Sequence, residues 1–151
     1  MKKFKFQLET LLKVTRMKKE DAEVRFAEAS RKLEDQRMHL RLLLEEMQQG
    51  QRDYESLSKE GKRVTVGQLM TFNSFFAWKR EQIEMQQQLI LQTKSERQKR
   101  LKELMEVMSY LKSIEQLKER RLQEYKEEML FEEQKMLDEI GLQLTMRARK
   151  Q

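Results

Sequence analysis

His39 follows Asp35 by four residues, a spacing that puts an imidazole and a carboxylate on one helical face and offers two ligands to a metal. A structural site needs about four ligands. With one His in 151 residues and no Cys, the repeated Glu-x-x-His patterns of a di-metal helical bundle cannot be assembled. The four Gly stand apart at 50, 61, 67 and 141, so no Gly-rich loop can cradle a phosphate. No catalytic, cofactor-binding or metal-binding residue is assigned, and Asp35 and His39 read as a solvated flank. Two helices lying side by side would have no interior in which to converge catalytic groups. The chain therefore reads as a binding protein and not an enzyme, and it needs no cofactor.

The densest basic run is Lys94-Ser95-Glu96-Arg97-Gln98-Lys99-Arg100-Leu101-Lys102. It has no aromatic residue for base stacking, and it does not precede a zipper as the basic region of a DNA-binding zipper does. It reads as a solvated helix face, and no nucleic-acid partner is expected. Phe72, Phe75, Phe76 and Trp78 crowd into seven residues, with Tyr54 and Leu57 upstream. Either they form a hydrophobic plug alone, or part of the cluster also meets a partner. The 11 Met are mostly core fillers on this reading.

The elements that position these residues follow from composition. There is no Pro, and charged residues make up 38% of the chain and hydrophobic residues another 38%. That is too apolar for a disordered tail and offers nothing to interrupt a long helix. No segment has the apolar core of a signal peptide, and no apolar run approaches the ~20 residues of a membrane span, so the chain is expected to stay unexported and at most peripheral to a membrane. Lys2, Lys3, Lys5, Arg147, Arg149 and Lys150 together equal the net charge of +6. The charge between the two ends is balanced.

Spacings of three and four connect Leu8, Leu12, Thr15, Lys19, Ala22, Phe26, Ala29, Leu33, Gln36, Leu40, Leu43, Met47, Gly50, Tyr54, Leu57 and Gly61. That mean period of 3.5 keeps one seam against a partner helix. A second, less regular frame runs from Phe76 through Ile83, Ile90, Leu101, Leu104, Met108, Leu111, Leu122, Tyr125 and Met129 to Met136. Arg80, Gln87, Lys94, Arg97, Glu115, Lys118 and Glu132 fill its intervening seam positions. Between the frames, Gly61, Gly67, two Val, two Thr and Asn73 lower helix propensity, with Gly61 suited to end a helix and Thr71 or Asn73 to begin one.

The expected fold is all-α: one domain forming a long antiparallel two-helix coiled-coil hairpin, with a helix over about 3–61, a turn over about 61–72 and a helix over about 73–148. The alternative is a homodimeric structural coiled coil, which periodicity alone does not distinguish. In the hairpin, Leu33 should lie level with Leu101 or Leu104. The longer second helix should project beyond the first, leaving Met136, Leu137, Ile140 and Leu144 without a partner from about residue 133 onward, so this end is expected to fray in isolation.

The opening Phe4-x-Phe6-x-Leu8-x-x-Leu11-Leu12, the middle Val66-x-x-Leu69 leading into Phe75 and Ile83, and the closing Tyr125 with Glu133-Gln134-Lys135-x-x-Asp138-Glu139-Ile140 together resemble the FliJ family of bacterial flagellar export proteins. The resemblance implies a cytoplasmic component of the flagellar type III export apparatus, peripheral at the inner face of the cell membrane at the flagellar base. It implies a rotor-stalk-like hairpin whose open end enters the pore of the hexameric flagellar export ATPase and stimulates it. A second surface would bind the cytoplasmic domain of the export-gate membrane protein, and export chaperones would be escorted. The free chain is expected to be a monomer.

Carried onto this chain, the gate-binding surface implied is Leu43, Met47, Gly50 and Tyr54 with Phe75, Lys79, Gln82 and Gln86. The ring-binding end comprises Phe4, Leu8, Met136, Leu137, Ile140, Leu144, Arg147 and Arg149.

Overall fold

A computed structural model describes residues 3–59 and 63–150. Two helices, α1 (Glu9–Lys59, 51 residues) and α2 (Val66–Arg149, 84 residues), pack against each other as an antiparallel helical hairpin, with no strand among the described residues. Two compact units divide the chain: Met1–Glu20 with Glu106–Gln151, and Asp21–Met105.

In the first unit Leu12 is fully buried against Leu111 and Ile114, with Phe6 and Leu11 packed around them. Thr15 sits in the same seam, where its hydroxyl donates to the Leu11 carbonyl at 2.7 Å and so needs no partner across the interface. Lys118 reaches Glu9 at 2.9 Å and Arg16 reaches Glu115 at 3.7 Å, which fixes the antiparallel register.

Helix α1 begins at Glu9 instead of about residue 3. Phe6 packs on the core while Phe4 meets Tyr125 in a tilted ring pair with centroids 5.6 Å apart. Residues two apart point to nearly opposite sides of a helix but to one side of an extended chain, so two inward Phe at this spacing require a non-helical lead. Beyond Met129 every described residue is exposed, and α2 continues as a helix to Arg149. The segment is helical, with Gln134 bonded to Asp138 at 3.1 Å and Thr145 to the Gly141 carbonyl at 2.9 Å.

In the second unit Ala22, Ala29, Leu33 and Leu43 of α1 are buried with Ile90 and Leu104 of α2. Arg97 donates to Ser30 at 3.0 Å and stacks on the Phe26 ring at 4.9 Å, and Gln86 donates to the Gln36 carbonyl at 2.9 Å. These contacts set Leu33 level with Ile90 and Thr93, not with Leu101 or Leu104 as expected. The earlier start of α2 accounts for much of the shift.

Thr65 caps α2. Its hydroxyl accepts from the Gln68 amide N–H at 3.1 Å, and its own N–H donates to the Gln68 side chain at 3.1 Å. This reciprocal pair satisfies two donors at a helix start and moves the boundary from about 73 to Val66, with Thr71 and Asn73 inside the helix. Residues 60–62, including the proposed stop at Gly61, lie outside the described residues.

The seam of α2 also differs from its expected frame. Lys79, Gln86 and Thr93 are buried, whereas Arg80, Gln87 and Lys94 are exposed. In the first unit, likewise, Ile114 is buried while Met108 and Glu115 are exposed. Both frames share the positions seven apart and differ only in whether three or four residues separate the intervening set. The burial chooses three.

Candidate interaction surfaces

Near the inter-helix connection Tyr54, Phe72, Phe75 and Phe76 form an aromatic cluster. Tyr54 meets Phe72 edge-on at 5.4 Å and Phe76 at 6.3 Å, and Phe75 meets Phe76 at 5.6 Å. Such edge-to-face contacts are favourable beyond their area burial. Phe75 also fills the space above Gly50, where a Cβ would collide with its ring. The buried Lys79 ammonium pairs with Glu46 and lies 5.0 Å from the Trp78 ring.

The residues carried over as gate-binding are brought together here, but they make the seam and not an outward face. Leu43, Gly50, Lys79 and Gln86 are buried, Met47, Phe75 and Gln82 are half-buried, and Tyr54 is 38% exposed. The Gln82 side-chain oxygen points inward, buried and without a hydrogen-bond partner. Leu43 is 5% exposed, so another protein could reach it only by parting the helices. Heptad seam positions are occupied by the partner helix by construction.

The apolar groups a partner can reach in this unit lie beside the seam. Trp78, Met85 and Leu89 share one face of α2 at spacings of seven and four, and Leu42 is exposed on α1. Sequence reasoning missed Met85 and Leu89, although that helical spacing was available to find them. His39 is exposed.

In the first unit, Phe4 is half-buried on Tyr125 and Leu8 is 38% exposed at the start of α1. Met136, Leu137, Ile140 and Leu144 are all at least half exposed, as are Leu130, Phe131, Leu142 and Met146. Together they fall on several sides of the helix, between charged residues such as Glu132, Glu133, Lys135, Asp138 and Glu139, and exposed apolar area of this extent marks a partner surface. Leu142 and Met146 fall outside the expected frame because a seam search retains one face only.

Arg147 and Arg149 lie in the last turn of α2, where positive charge offsets the partial negative charge of the unpaired carbonyls. The hydrogen bond from Lys118 holds the Glu9 carboxyl below its usual value. In the other unit, a hydrogen bond to Glu103, reinforced by Glu96, raises the Arg100 guanidinium further. No helix among the described residues is long and apolar enough to cross a membrane.

The model of the flagellar FliJ protein family matches residues 4–150, which spans both helices and both units. No curated protein and no solved structure matches the chain. A helical hairpin matched over nearly its whole length by that family belongs to the FliJ family, and the chain is a component of flagellar protein export.

Proposed function

We propose that this protein is a stalk and escort of the flagellar type III export apparatus, acting in the cytoplasm at the inner face of the membrane. The projecting end of α2 inserts into the pore of the hexameric export ATPase and stimulates hydrolysis, while the chain itself hydrolyses nothing. The observation that carries this reading is the helix beyond Met129, which is exposed to its end, carries large apolar side chains on several sides and is basic in its last turn. A ring pore encloses a helix on all sides, and no flat partner does. Insertion changes hydrolysis if the helix binds some ring conformations better than others.

The unit near the inter-helix connection meets the cytoplasmic domain of the export-gate protein. Tyr54, Trp78 and Met85 make the contact, and Leu43, Met47, Phe75 and Gln82 hold the surface in shape from beneath. Export chaperones are escorted on the same molecule.

A photocrosslinking residue at Leu144 tests the insertion. With purified export ATPase it should label pore-lining segments, and only under conditions where the hexamer assembles. Labelling of the outer surface would place this end outside the pore and overturn insertion, and no labelling would favour a structural coiled coil with no ring partner.

A further inference from the structure

We propose that, when no ring is engaged, the exposed end of α2 pairs antiparallel with the same segment of a second copy of this chain. Leu130, Leu137, Ile140 and Leu144 share one face at spacings of seven, three and four, and each is at least half exposed. An unpaired stripe of this kind is unfavourable in water, and a matching helix covers it. The occupant is identified by charge. Residues 126–139 carry Glu127, Glu128, Glu132, Glu133, Asp138 and Glu139 against only Lys126 and Lys135, whereas residues 140–150 carry Arg147, Arg149 and Lys150 and no acid.

This polarity selects both the partner and its direction. A parallel copy would set acid on acid and base on base. An antiparallel copy sets the acidic part of each chain against the basic end of the other. Within the stripe, Glu133 and Arg147 each lie seven residues from Ile140, on opposite sides of it. A two-fold axis beside Ile140 therefore opposes Glu133 of each copy to Arg147 of the other, twice per pair, as a self-complementary interface requires. The segment lies beyond the packed part of its own unit, so pairing displaces no contact among the described residues. It differs from the expectation of a monomeric free chain, and it stands independently of the ring reading because its test contains no ATPase.

The absence of Cys makes the test clean. In the full chain under mild oxidation, Ile140→Cys should crosslink to itself, and a mixture of Glu133→Cys and Arg147→Cys chains should crosslink to each other. Glu133→Cys alone should not. By sedimentation equilibrium Arg147→Glu should weaken the dimer about tenfold, since two ion pairs become repulsive contacts, and adding Glu133→Arg should restore it. A chain that stays monomeric at every concentration, or Glu133→Cys crosslinking to itself as a parallel pair would, overturns the proposal.

Discussion

The ring of Phe75 occupies the space that a side chain on Gly50 would need. A Cβ there would collide with Cε1 and lie 3.2 Å from Cδ1. Gly in the middle of a 51-residue helix costs about 1 kcal/mol relative to Ala, so its presence on the α1 seam reflects that aromatic ring and not backbone freedom.

Gly50→Ala should therefore destabilise the protein despite its better helix propensity, by about 1–2 kcal/mol from overpacking. In a Phe75→Ala background the same change should become stabilising by about 0.5–1 kcal/mol. Urea unfolding of the four chains measures the coupling. Equal effects of Gly50→Ala in both backgrounds would show that the two residues are not packed together.

Lys79 is a buried cation whose partner Glu46 is half exposed. Replacing Lys79 with Leu should leave stability unchanged or raise it by about 1 kcal/mol, while Glu46→Ala should lower it, because the ammonium would keep its burial and lose its pair. Thermal unfolding reads both. A large loss in Lys79→Leu would mean that the ion pair contributes more than it costs to desolvate.

The register places Leu33 beside Ile90. Cys at these two positions should crosslink within one chain, and Cys at Leu33 with Leu101 should not. Mass spectrometry of the crosslinked protein decides it, and a Leu33–Leu101 link would restore the register expected from the heptads alone.

Glu9 gives an acid-range signature. Its carboxyl is held below the usual 4.5 by the hydrogen bond from Lys118, so the folded state binds its proton less readily than the unfolded state. The stabilisation is fully present above that usual value and is lost as pH falls through the lowered folded value. Unfolding midpoints measured from about pH 6 down to about pH 3 should converge between wild type and Glu9→Gln at the acid end. A constant difference across the range would remove Lys118 as the cause.

The seam of α1 was legible from Leu12 to Leu57 because apolar residues recur there often enough to settle each three-or-four choice. In α2 the choice fell on polar residues: Lys79 or Arg80, Gln86 or Gln87, Thr93 or Lys94. Hydrophobicity cannot rank such pairs, since Thr93 satisfies its hydroxyl on the Leu89 carbonyl at 3.0 Å and Lys79 pairs with Glu46. The start of α2 was readable as Thr65-Val66-Gly67-Gln68, a capping box hidden among Gly and β-branched residues that argued for a turn. Residues carried over as partner contacts landed in the seam because they occupy heptad positions. The exposed stripe of Trp78, Met85 and Leu89 was readable only by following one helical face outside the frame.

The proposed action of the α2 end on the ATPase ring can be measured directly. The direct measurement is the hydrolysis rate of the purified export ATPase with full-length chain and with a chain lacking residues 137–151, at concentrations saturating for the full-length protein. Stimulation should be lost on truncation, while helix content falls only by the residues removed. Arg147→Gln with Arg149→Gln should give partial stimulation that weakens further as salt is added. Full stimulation by the truncated chain would show that the end of α2 is not the element that acts on the ring.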